Sequence, residues 1–327
     1  MKKIIACVLF CAILVGSLVG LTDFLTYKGS NRYYLLEKYL EDHPEQNNYD
    51  VQVFGACHAY TSLHPQRLEE TAGVSTFLYA NPGEIMPITY LRMIEQFKKH
   101  TPKVAVVETW GINAYDTYDD AGDILGAYLI CNLERIPFSL EKQEVIEDFA
   151  SEDAAAIHFP LANYKERLAD GSLSILDFDY SFAEFQHQSH RLIAAEMESR
   201  LTRNGFKLNP SIAITDYPQK QSVIGEEDFA EIHPTVLKYL QKIVELCREK
   251  GVKLIFYRSP YTSTVGELGR VKHMQQFCQD NDVPFFDLEA ELAFDYETDF
   301  YDYQHLSETG ANKATDFLAP HILKALE

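Results

Sequence analysis

Hydrophobic positions along this chain fall into two rhythms. Five short apolar runs, VQVFG at 51–55, STFLYA at 75–80, KVAVVET at 103–109, VKLIFYR at 252–258 and VPFFDL at 283–288, read as buried strands. Between them lie stretches with helical spacing: PQRLEETAG, IMPITYLRMIEQFKKH, HPTVLKYLQKIVELCREKG, LGRVKHMQQFCQDN and a last one from Glu308 onward. Apolar runs alternating with helical periods predict a parallel sheet built from right-handed βαβ units. The expected fold class is α/β: three layers, α/β/α, around a five-stranded parallel sheet. Residues 115–228 break the rhythm with aromatic-rich, irregular and helix-leaning sequence, too long for a simple crossover. They read as an insertion capping or bordering the active-site end of the sheet, within a domain over 51–327.

The first 50 residues have a different pattern. After Lys2 and Lys3, the segment from Ile4 to Leu21 carries no charge for 18 residues, enough for a helix to cross a bilayer. The lysines orient it with the remainder of the chain outside the cell membrane. A retained signal anchor over 1–27 is the expectation, with a cleaved signal peptide ending near Ser17 as its rival. A juxtamembrane segment over 28–50 follows, with helical character over Asn31–His43.

Composition narrows the partners. A net charge of −20 argues against nucleic acid and against docking of the folded part on anionic lipid. The six cysteines make no disulfide framework and show no metal-ligand spacing, so no structural zinc site is expected. Cys247 and Cys278 flank one strand; a disulfide between them and two separate buried thiols are both open readings.

Candidate chemistry sits at the two ends of the domain. Near the C-terminus, Asp302 and His305 stand three residues apart ahead of a helix, a spacing that lets the carboxylate fix the imidazole tautomer. Near the start, FGACHAYTS places Gly55, Ala56 and Cys57 in a strand-to-helix turn, where free backbone N–H groups and the helix dipole would lower a thiol pKa. Cys57 is therefore the candidate nucleophile, against the alternative of a small buried hydrophobe. Its neighbour His58 either meets substrate or simply begins the helix. In the insertion, His158, Tyr164, Lys165 and Arg167 could border a carbohydrate or an anion, or form a solvated helix face.

The order strand, Gly-x-nucleophile, helix at one end and Asp-x-x-His at the other resembles the SGNH/GDSL hydrolases, with cysteine where that family has serine. The resemblance implies a flavodoxin-like sheet and a Cys57–His305–Asp302 triad. It also implies an oxyanion hole to which Gly83 and Asn113 contribute, although Ala114 stands where the family's usual Asp would follow. With its N-terminal anchor the chain is similar to the membrane-anchored D-alanyl-transfer and alginate O-acetylation proteins. That likeness implies an extracytoplasmic esterase or O-acyltransferase acting on an envelope polysaccharide, without metal or organic cofactor. Two other classes stay open: a non-catalytic glycan-binding partner of a membrane acyltransferase, and a scaffold of envelope assembly.

Overall fold

In the computed structural model the described residues are 2–25, 39–40, 42–44, 48–113, 231–261 and 265–327, with shorter stretches between 129 and 157 and between 195 and 211. The expected strands form, as β1 (Val51–Gly55), β2 (Thr76–Ala80), β3 (Val104–Glu108), β4 (Lys253–Arg258) and β5 (Phe285–Asp287). They lie in the order β2-β1-β3-β4-β5 and every pairing is parallel. Two sequence neighbours, β2 and β3, therefore flank β1 on opposite sides. This creates a switch point at the carboxyl ends of β1 and β3, the crevice where open α/β sheets bind ligands.

Helices cover both faces because the strands are apolar on both. Phe54, Phe77, Tyr79, Ala105, Val107 and Phe256 point into one core, and Val53, Leu78, Ala80, Val106, Ile255 and Tyr257 into the other. The period of two separates them. On the second face lie α2 (Cys57–Ser62), α3 (Pro65–Ala72) and α9 (Glu308–Leu326); α8 (Leu288–Glu291) adds Leu288 there. On the first lie α4 (Met86–Lys99), α5 (Leu140–Phe149), α6 (Pro234–Lys250) and α7 (Val265–Asp280). Their termini follow ordinary capping chemistry: Pro at the first turn of α3, α4 and α6, and left-handed Gly73 and Gly251 closing α3 and α6. Cys247 and Cys278 are free, buried in the same core, and burial pushes both thiols up to about 12. The two-thiol reading holds and the disulfide does not.

Two stretches of the expected insertion are built into the domain. Leu133, Val145, Ile146, Phe149 and Ile157 are part of the first-face core. Residues 200–209 lie against the outer edge of β2, where Leu78 N–H donates to Asn204 O at 2.9 Å. Gly205, at φ +90°, meets the Leu78 carbonyl so closely that a Cβ would collide with it. An edge strand is thus covered by main chain rather than left open. His158, Tyr164, Lys165, Arg167 and Cys131 fall outside the described residues, as does most of Asn31–His43.

At the N-terminus a helix, α1, spans Lys2–Leu25. Ile4, Phe10 and Ile13 are exposed on it. Among the described residues no helix is long and apolar enough to cross a membrane, so the expected bilayer-spanning helix is not found there.

Candidate active site

The site begins with a glycine. Gly55 ends β1 at φ +137°, and a Cβ there would lie 3.0 Å from Glu108 Cβ and 3.1 Å from Glu108 O. Only glycine lets the chain leave β1 this close to β3 and turn at once into α2. Ala56 is the N-cap of that helix and Cys57 its first residue. The first turn leaves the amides of Cys57 and His58 without intrahelical acceptors.

The other half of the site comes from the turn before α9. Asp302 accepts from the backbone N–H groups of Gln304 and His305, both at 2.8 Å, which folds the segment back on itself. Tyr301 N–H donates to His305 O, and Ser307 caps α9 through Gly310 N–H. Asp302 Oδ1 and Oδ2 also face His305 Nδ1 at 2.9 and 3.0 Å. A carboxylate only accepts, so Nδ1 carries the proton and donates. The other nitrogen, Nε2, is buried and has no hydrogen-bond partner among the described residues.

These two halves meet. Sγ of Cys57 and one ring nitrogen each of His58 and His305 all lie within 4.8 Å of one another, and Sγ is 3.7 Å from His58 Nδ1. The imidazoles of His58 and His305 stack with centroids 5.2 Å apart. His58, 2% exposed, is also stacked on Trp110 at 5.3 Å and tilted against Tyr261 at 4.9 Å.

The electrostatics follow from this crowding. Burial alone would raise the Cys57 thiol, but the adjoining His58 and His305 imidazoles outweigh it and bring it well below the ordinary value for cysteine. Burial would lower His305, yet its bond to Asp302 and the adjoining Cys57 thiolate raise it to about 9. Desolvation would raise Asp302, and the His305 bond outweighs it, holding the carboxyl below its usual range. Both shifts run in the direction of a thiolate–imidazolium pair over a neutral thiol and imidazole.

Of the residues expected from the sequence, Cys57, His58, His305 and Asp302 come together. Gly83 lies after β2 in a left-handed turn at φ +63°. The next residue, Glu84, fixes that loop through Arg92 Nε at 2.8 Å and Thr89 Oγ1 at 3.0 Å. Asn113 ends the short 3₁₀ helix Trp110–Asn113 after β3. Its Nδ2 donates to Tyr261 Oη at 2.9 Å and its Oδ1 accepts from Arg270 at 3.4 Å. Among the described residues this leaves one amide proton without an acceptor.

Three groups around the site lacked a clear signal in the sequence. Glu108, fully buried at the end of β3, accepts from Trp110 N–H with both oxygens at 3.1 Å and from Ser259 N–H at 3.4 Å. Desolvation raises it to about 7, against the opposing charge of His58. An acidic residue closing an otherwise apolar strand was its one visible sign. Tyr261 follows β4, and Arg258 lies over its ring at 4.9 Å. Asn209 is the third: its Nδ2 donates to Leu306 O at 3.3 Å while its own carbonyl accepts from Glu308 N–H at 2.9 Å. The same segment reaches α2, since Lys207 N–H donates to Tyr60 O and Arg200 lies 3.8 Å over the Tyr60 ring. Residues 200–209 thus brace both the helix that carries Cys57 and the turn that carries His305.

Comparisons with known proteins add little to this geometry. One family model matches residues 183–327, less than half of the chain. No curated protein matches. Among solved structures, a provisionally assigned acylhydrolase from Bacteroides fragilis superposes with a TM-score of 0.40 at 11% identity, covering 88% of this chain and 97% of that one. So remote a likeness fixes neither substrate nor activity.

Proposed function

We propose that the chain is an acyl hydrolase or acyltransferase with a cysteine nucleophile, of the SGNH type that its sequence resembles. One observation carries this reading: Sγ of Cys57 faces a histidine whose far nitrogen is held by Asp302 at 2.9 Å. A thiol, a base and an orienting carboxylate in that order are the parts of nucleophilic acyl transfer.

The chemistry follows from the proton positions. The Cys57 thiolate attacks the acyl carbonyl carbon, and the C=O electron pair moves onto oxygen. Backbone N–H of Cys57, with the Asn113 amide and the Gly83 N–H, stabilises that oxyanion. As the intermediate collapses, the C–O bond to the alcohol breaks and His305 Nε2–H protonates the leaving oxygen. The resulting thioester is attacked by water, giving an acid, or by a sugar hydroxyl, giving a new ester. His305 takes the proton of the attacking oxygen, and Cys57 leaves as the thiolate.

The substrate class rests on the sequence. Lys2 and Lys3 ahead of the uncharged Ile4–Leu21 segment support a location of the domain outside the cell membrane. An O-acylated envelope polysaccharide is the polymer within its reach. No cofactor takes part in these steps.

The test is turnover of short acyl esters and of acetylated envelope glycan by the full chain, with mass spectrometry of an acyl adduct on Cys57. Turnover with a trapped Cys57 thioester upholds the reading. Absence of both, in the parent and in Cys57→Ser, leaves a glycan-binding protein instead.

A further inference from the structure

The donor set around Cys57 suits more than acyl transfer. One sulfur and two imidazole nitrogens converge from two parts of the fold, the first turn of α2 and the turn before α9, all within 4.8 Å of one another. In tetrahedral zinc sites Zn–S is about 2.3 Å and Zn–N about 2.0–2.1 Å, which puts sulfur and nitrogen donors roughly 3.5 Å apart. The Cys57 Sγ to His58 Nδ1 separation of 3.7 Å is already close to that figure.

The surroundings fit as well. His305 binds Asp302 through Nδ1, and its Nε2 is buried without a hydrogen-bond partner among the described residues. A histidine ligand whose second nitrogen is fixed by a carboxylate is the usual outer-shell arrangement of zinc sites. His58 is fixed in place by Trp110, Tyr261 and His305 rather than by solvent, so little side-chain freedom is lost on ligation. Thiolate with imidazole selects zinc over magnesium or calcium, which prefer all-oxygen shells.

We propose that Cys57, His58 and His305 form a three-ligand site for Zn²⁺, with the fourth position open, and that the ion reversibly blocks the nucleophile. Zinc takes the place of the protons otherwise shared among the three side chains, and the sulfur lone pair that would attack a carbonyl is committed to the metal. The redox state of every group is unchanged. The site does not require the acyl chemistry above, only the convergence of the three donors.

The experiment uses the full chain, stripped of metal in chelator and titrated with Co²⁺. One equivalent should give the sulfur-to-cobalt charge-transfer absorption of a cysteine ligand together with the intense visible bands of four-coordination. Zn²⁺ should displace both. In parallel, one equivalent of Zn²⁺ should slow alkylation of Cys57 by iodoacetamide at least tenfold, while Mg²⁺ leaves it unchanged. His58→Gln, with a native circular dichroism spectrum, should lose the four-coordinate cobalt signature. If that variant unfolds, alkylation of the parent decides: protection by Zn²⁺ upholds the site and equal rates overturn it. A cobalt spectrum without a sulfur band, or one unchanged in folded His58→Gln, also overturns it. Ester turnover by the metal-free chain is read separately. Turnover without metal binding ends this inference alone, and metal binding without turnover ends the acyl reading alone.

Discussion

Asp302 holds the ring and the backbone of His305 with the same oxygen, Oδ1, at 2.9 Å from Nδ1 and 2.8 Å from the backbone nitrogen. The carboxylate therefore sets both the tautomer of the imidazole and the turn that presents it. Asp302→Asn keeps an acceptor for the backbone but removes the negative charge that favours imidazolium. Ester turnover should fall by roughly 10²-fold or more, and the alkylation rate of Cys57 at neutral pH should fall with it. Retained turnover would show that His305 is oriented by other means.

The pH profile separates two roles of the thiolate–imidazolium pair. His305 is raised to about 9, and Cys57 lies well below its ordinary value. Thiolate forms as pH rises through the low Cys57 value and persists above it. Imidazolium, the proton donor for the leaving alcohol, is lost as pH rises through about 9. Alkylation of Cys57 should thus rise and stay high, whereas ester turnover should fall on an alkaline limb near 9. Parallel profiles for both measurements would contradict this division of labour.

Cysteine at this position poses its own test. Cys57, half-buried beside two imidazoles, should react with iodoacetamide faster than Cys247 or Cys278, whose burial pushes them up to about 12. Cys57→Ala should abolish ester turnover. Cys57→Ser distinguishes the two origins of reactivity: hydrolysis retained by the serine points to an apparatus indifferent to the nucleophile, and hydrolysis lost points to one adapted to a thiolate.

The five strands could be read from the chain because each is a short apolar run bounded by turn residues, and β1, β2 and β3 lie within one residue of the expected ends. Cys57, His305 and Asp302 were legible through local spacing: a glycine before a helix start, and an acid three residues before a histidine. What stayed hidden depends on pairs far apart in sequence. Nothing local says that Asn209 meets Leu306, that Tyr261 meets Asn113, or that Arg200 meets Tyr60. Within residues 115–228, the helix Leu140–Phe149 buries Lys142, Val145, Ile146 and Phe149 on one face, but residues 200–209 are held by bonds between segments far apart in sequence, which no local period announces. The pairing of His58 with the thiol was concealed for another reason: adjacent residues on a helix usually diverge, and only the first-turn geometry of α2 brings Nδ1 back toward Sγ.

Asn209 offers a way to test positioning apart from chemistry. Its side chain donates to the carbonyl of Leu306, directly after His305, and among the described residues no hydrogen bond joins it to Cys57 or to the imidazole. Asn209→Ala leaves a buried carbonyl short of a donor, at a cost of about 1–3 kcal/mol. Ester turnover should drop through kcat with little change in KM, because the proton shuttle is displaced while the binding surface is kept. Asn209→Asp, unable to donate at neutral pH, should do the same, whereas Asn209→Ser should restore part of the loss. An effect on stability alone, with kcat intact, would reduce Asn209 to a structural role.

Glu108 makes the last prediction, and its sign is set by burial. Desolvation beneath the site raises the carboxyl from the ordinary value of 4.5 to about 7, so the folded chain holds a proton there that the unfolded chain releases. Folded stability from this group is fully present below about 4.5 and declines as pH rises toward 7. The full difference amounts to roughly 3 kcal/mol at most. Glu108→Gln keeps an oxygen to accept from Trp110 and Ser259 N–H and removes the titration, so the variant's denaturant midpoint should stay flat from pH 5 to 7 where the parent's declines. A midpoint that declines equally in parent and variant would place the titrating group elsewhere and leave Glu108 as a neutral acceptor for two backbone amides.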